Sequence, residues 1–150
     1  MNKLNEEHER HIGRVEVSFY ISARDLDPDE LTKKLQIAPD SQAKRGDEQK
    51  NYVGKVVSTH EEGYWMITSK GRIDSKNIND HFEVLFRLLH PIRHLFGCYI
   101  SELQGETYFD VLWESSYLYA GTGPVLSATV IKKSGDVRAS IGFDIYQLNE

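Results

Sequence analysis

Val15, Val17, Phe19, Ile21 and Ala23 alternate with Glu16, Ser18, Tyr20 and Ser22, and a period of two is the pattern of a strand with one buried face. The chain then turns at once into a helix-start signal. Asp27 suits the N-cap and Pro28 the first helical position, with Glu30 where a capping box needs it. Leu26 and Leu31 occupy the two ends of a hydrophobic staple. Leu31 and Leu35 continue one apolar face, and Lys33 and Lys34 suit the negative end of the helix dipole. A strand feeding a short capped helix that packs back on a sheet constrains the fold strongly. It says little about function.

A second strand pattern of the same quality closes the chain. Val137, Ala139, Ile141, Phe143 and Ile145 alternate with Arg138, Ser140, Gly142, Asp144 and Tyr146. The two strands are expected in one sheet, with Phe19, Ile21, Ile141 and Phe143 on its buried side. Between them, Tyr52–Ser58 and Tyr64–Ser69 read as strands joined by a hairpin loop. Ile78, Phe82, Leu85 and Leu89 mark the buried face of a helix, which Pro91 ends or follows with a short second one. Gly97 reads as its stop. Cys98–Leu103 and Thr107–Trp113 read as a second hairpin, and Val125–Lys133 allows a helix weakened by its β-branched residues.

The resulting order, β-α-β-β-α-β-β-α-β, predicts an α+β fold: a mostly antiparallel sheet with helices packed on one face. Its first six elements have the order of a ferredoxin-like βαββαβ core, extended by further strands and a helix. A length of 150 residues with 39% apolar content fits one globular domain. We expect a flexible tail over residues 1–13 and a single domain over 14–150. The charged segment Met1–Arg14 lacks the apolar core of a secretory signal, no apolar run approaches a membrane span, and Cys98 has no internal partner. These features predict a cytoplasmic protein with no membrane association.

In order and spacing, several pieces resemble an uncharacterised bacterial family, domain of unknown function 4279. They are Phe19–Tyr20–Ile21–Ser22, Asp25–Leu26–Asp27–Pro28–Asp29–Glu30–Leu31, Lys44–Arg45–Gly46–Asp47, Tyr64–Trp65, the Ile78–Leu89 helix and Phe143–Asp144–Ile145–Tyr146. The resemblance covers Val15–Tyr146. It implies a small bacterial cytoplasmic domain and brings no activity, cofactor or catalytic residue with it.

No catalytic set assembles from the residues alone. His8 with His11 and His90 with His94 have helical spacing for a metal, but one pair lies in the tail and the other brackets Pro91, so all four read as surface or partly packed histidines. Gly121–Thr122–Gly123–Pro124 lacks the order of a phosphate-binding loop, and no nucleophile elbow is present. No cofactor or metal is implied. Net charge is −5, which disfavours nucleic acid. The charge is unevenly distributed, with no Lys or Arg from Leu95 to Ile131. That stretch carries Glu102, Glu106, Asp110 and Glu114 beside Tyr99, Tyr108, Trp113, Tyr117 and Tyr119. It predicts a surface for a basic protein partner, with Tyr108 or Trp113 as aromatic anchor.

Two function classes follow. One is a non-catalytic protein-binding module, of which an immunity-type protein is a concrete version. The other is a small-molecule-binding protein or enzyme with a polar cleft near Lys44, Arg45 and Asp144, where Arg45 would grip a carboxylate or phosphate. The bland alternatives are that Arg45 or Asp47 ties its loop to the sheet, and that the aromatics fill the core while the acids keep the outside soluble.

Overall fold

The structure, a computed structural model, describes residues 10–116 and 123–148. The N-terminal residues of the expected tail, with His8, and also Tyr117, Tyr119, Gly121 and Thr122, lie outside the described residues. In chain order the elements are β1 (Ile12–Ala23), α1 (Pro28–Leu35), β2 (Ser41–Ala43), β3 (Glu48–Lys50), β4 (Val56–Thr59) and β5 (Gly63–Thr68). They continue with α2 (Ile78–Leu89), a 3₁₀ turn (His90–Ile92), α3 (Leu95–Glu102), β6 (Glu106–Ser116), α4 (Ala128–Asp136) and β7 (Ser140–Leu148).

The opening motif folds as its residues dictate. The Asp27 side chain accepts from the backbone N–H groups of Asp29 and Glu30, with Pro28 at the first helical position. Leu26 and Leu31 are both buried, as a staple requires. The strand begins earlier than the tail boundary allowed. Ile12 already sits in the core, and a register shift between Ile12 and Val15 puts both of these apolar residues on the buried side.

Five strands form one sheet in the order β2-β5-β1-β6-β7, and β3 and β4 form a separate two-stranded ribbon. β1 lies in the middle, antiparallel to both β5 and β6. The β6–β7 pair is parallel, with α4 as the crossover between them. The chain is therefore α+β with a mostly antiparallel sheet. A ferredoxin-like unit does not form from the six expected elements. Residues 52–58 contribute only β4, in the separate ribbon, and Cys98–Leu103 lies in α3 and its C-cap instead of a strand. Gly97 is inside α3, and Cys98 is exposed on it. The apolar run from Leu95 to Ile100 suits a buried helix turn as well as a strand, and period alone does not separate the two in so short a segment.

The core lies between one face of the sheet and the helices. Val17, Phe19, Ile21, Trp65, Ile67, Phe109 and Val111 from the strands meet Leu31, Phe82, Leu85, Phe86, Phe96 and Val130 from the helices. Phe109 is close to three other rings, Phe19, Phe82 and Phe86, with centroids 4.9–5.5 Å away. Strands β1 and β7 do share this sheet, but the expected burial of β7 fails. Ile141 is partly buried, Phe143 is 43% exposed and Ile145 61% exposed. β7 is the edge strand, and among the described residues the helix layer covers only its beginning. No helix of the described residues is long and apolar enough to cross a membrane.

Candidate functional site

Because side chains alternate along each strand, the same parity that fills the core also dictates what the other face presents. The paired positions Tyr20 and Tyr108, Ser18 and Asp110, Glu16 and Leu112, and Ser22 and Glu106 face away from the helices. Tyr64 and Met66 join them from β5, and Gly142, Asp144 and Tyr146 from β7. Among the described residues no helix packs on this side.

Its centre is a stack of two phenols. The Tyr20 and Tyr108 rings lie 4.9 Å apart and 7° from parallel. Tyr64 continues the row at 6.2 Å from Tyr20, and the His60 ring lies 5.4 Å beyond it. Partial burial raises the hydroxyl pKa of both Tyr20 and Tyr108, with Asp110 adding to each. Both phenols therefore remain neutral hydrogen-bond donors across the physiological range. The Tyr64 hydroxyl is 2.7 Å from Ser41 Oγ, which holds its ring across the short edge strand β2.

Beside the stack, Asp110 and Asp144 meet from adjacent strands. Burial raises the Asp110 pKa, and the neighbouring Asp144 charge and a hydrogen bond with Asp144 raise it further. Two carboxyl groups brought this close repel when both are ionised, so a cation or a shared proton is favoured between them. Glu62 accepts from Ser22 Oγ at 2.7 Å and adds charge near Tyr108. At the far end Glu114 accepts from the Arg14 backbone N–H at 3.0 Å, with the Arg14 side chain 4.0 Å away.

The acidic–aromatic expectation therefore divides. Glu106, Tyr108, Asp110 and Glu114 share the open face. Glu102 is exposed at the end of α3, in the helix layer. Trp113 has the opposite parity and is only 4% exposed, so it belongs to the core and is not an anchor. Its indole nitrogen is buried without a partner among the described residues. Sequence reasoning missed Tyr20, which supplies the second ring, because the pairing of β1 with β6 joins residues far apart in the chain.

The alternative cleft does not form. Asp144 lies on β7 and Arg45 follows β2, at opposite edges of the sheet. Arg45 instead pairs with Asp25 at 2.8 Å, and Lys44 with the N-cap Asp27 at 3.0 Å. Through that hydrogen bond Lys44 lowers the Asp27 pKa and its own rises. Asp47 accepts from the Lys44 N–H, and the Gly46 N–H donates to the His60 carbonyl, so this loop is tied down as the structural reading expected. Arg45 also borders a hollow of about 520 Å³ with Arg24, His60, Glu61 and Glu62. The histidines expected at the surface make ordinary contacts. His90 lies 3.7 Å from Asp136, and His11 lies 3.2 Å from Ser116 Oγ.

The sequence profile of a family described as a domain of unknown function (DUF4279) matches residues 11–148. No curated protein and no solved structure matches this chain.

Proposed function

The chain belongs to the DUF4279 family, and we propose that it is a non-catalytic protein-binding module whose open sheet face takes a basic partner. The single observation that carries this reading is the Tyr20–Tyr108 stack lying next to the Asp110–Asp144 pair on a face free of described helices. Stacked phenols present a broad amphipathic surface with little side-chain entropy left to lose. A cationic side chain laid over them gains from the ring faces and from the carboxylates together. The net charge of −5 steers such a partner in and disfavours nucleic acid. An immunity-type protein that neutralises a basic toxin in a bacterial cytoplasm is one specific form of this reading, supported by the chain's size and acidity.

The test compares immobilised wild type with Asp110→Asn/Asp144→Asn and with Tyr20→Ala in capture from lysate at rising salt. Basic proteins retained by wild type, eluted by salt and lost with both variants are the expected result, because exposed charges are screened over about 8–10 Å at physiological ionic strength. Equal recovery on all three proteins would sink the reading.

A further inference from the structure

Arg138 occupies a backbone position that arginine rarely takes. Helix α4 ends in a two-bond Schellman closure, in which the Arg138 N–H donates to the Gly135 carbonyl and the Ala139 N–H to the Ser134 carbonyl. The residue at the turn of that motif must be left-handed and is most often glycine. Here it is Arg138, with φ +56°. Backbone strain of this kind persists where the surroundings hold it, and it concentrates at ligand sites.

The side chain gives the strain a purpose. Arg138 lies against Gly97 of α3, where an added Cβ would stand 3.4 Å from the guanidinium. The guanidinium thus packs at van der Waals distance over Gly97. Arg138 also borders a hollow of about 370 Å³ beside the starts of β6 and β7, within the size range of small-molecule sites. Phe96, Ile100, Ser101, Tyr108 and Ser140 are among the residues that line it. None of the ion pairs or side-chain hydrogen bonds among the described residues uses the Arg138 guanidinium, in a chain carrying 23 Asp and Glu. Arg45, by contrast, is already paired with Asp25, and two glutamates share its hollow.

We propose that this hollow is a binding site for a small organic oxyanion, a carboxylate or a phosphate, held bidentately by Arg138 with its apolar part on Phe96 and Ile100. The guanidinium fork matches both oxyanions in geometry. Glu106 on the rim disfavours a dianion, so the monoanionic carboxylate is the better fit. The site rests on different residues from the proposed docking of a basic partner, apart from the shared wall at Glu106 and Tyr108.

The experiment titrates the full chain with benzoate, with inorganic phosphate and with sodium chloride at constant ionic strength, following the backbone amide resonances of Gly97, Arg138 and Ser140. Saturable shifts with benzoate or phosphate, absent with chloride, are expected, and the tighter of the two oxyanions identifies the ligand's charge class. Arg138→Gln should weaken binding roughly ten- to a hundredfold, as loss of a charged hydrogen-bond pair does. Arg138→Gly separates binding from folding. Glycine suits the left-handed turn, so this variant should unfold at or above the wild-type midpoint and still fail to bind. Shifts that do not saturate, that chloride reproduces, or that survive in Arg138→Gln would overturn the site. So would a marked loss of stability in Arg138→Gly, which would make the arginine a structural strut.

Discussion

Ser69 Oγ stands 2.8 Å from His81 Nδ1, with both residues buried where β5 leads towards α2. The hydroxyl also accepts from the Val17 N–H at 2.9 Å, and His81 Nε2 reaches the Ser75 carbonyl at 2.7 Å. A carbonyl only accepts, so Nε2 carries a hydrogen, and Ser69 is left to donate its own to Nδ1. One assignment satisfies every group in the chain. Ser69→Ala strands a buried donor on Val17 and a ring nitrogen on His81, and should cost about 2–3 kcal/mol in urea denaturation. A loss under about 0.5 kcal/mol would mean the network does not support the fold.

Asp110 and Asp27 should give opposite pH responses. Burial and the Asp144 charge raise the Asp110 pKa above its ordinary 3.8, so the folded state keeps this proton more tightly than the unfolded chain. Its penalty is present above the raised value and is relieved as pH falls towards 3.8. Asp110→Asn should therefore stabilise the protein at neutral pH, and that gain should vanish in acid. The hydrogen bond from Lys44 lowers the Asp27 pKa below 3.8. Its contribution is full above 3.8 and is lost as pH falls through the lowered value. Asp27→Asn keeps a capping residue but should lower the unfolding midpoint at neutral pH, and it should match wild type at the acid limit. Melting curves of both variants from pH 2 to pH 7 check the two signs.

Phe109 and Phe143 are both strand phenylalanines on the helix-facing side, yet they should behave differently. Phe109 is fully buried among three rings, whereas Phe143 is 43% exposed on the edge strand. Phe109→Ala should cost about 3–5 kcal/mol, and Phe143→Ala no more than about 1.5 kcal/mol. Equal losses in chemical denaturation would show that β7 is covered in solution.

Gly63 lies directly under the loop that carries Leu26. A Cβ at this position would collide with the Leu26 carbonyl oxygen and stand 3.0 Å from the Leu26 Cβ. Neither is the free end of a flexible side chain, so Gly63→Ala should cost about 1–3 kcal/mol. Unchanged stability would mean that the α1 entry loop shifts freely.

Local chemistry was legible in the sequence wherever it was decided locally. Pro28–Leu35 and Ile78–Leu89 have the helical bounds their caps and periodicity predict. Alternation placed Phe19 and Ile21 in the core, and the cation-free stretch of acids and aromatics pointed to Tyr108 and Asp110 outside it. Trp113 reads as a surface anchor from the cation-free acidic and aromatic stretch it belongs to; it shares its parity with the buried Phe109 and Val111, which places it in the core. What was not legible depends on strand order. Nothing near Tyr20 announces Tyr108, nothing near Arg45 says that Asp144 lies at the opposite edge, and β7 shows alternation whether or not a helix covers it. Arg138 escaped notice because a left-handed arginine has no local signature; glycine at the same position would have marked the turn.

The central place of β1 has a consequence for how the chain is made. Phe19 pairs with Ile67 on one side and with Phe109 on the other. The strand that places the most apolar residues in the core thus leaves the ribosome well before either neighbour exists. Until β6 emerges, β1 is an open edge of the kind that recruits other chains. Closing the long loop to β6 therefore costs more chain entropy than forming the well-capped α1.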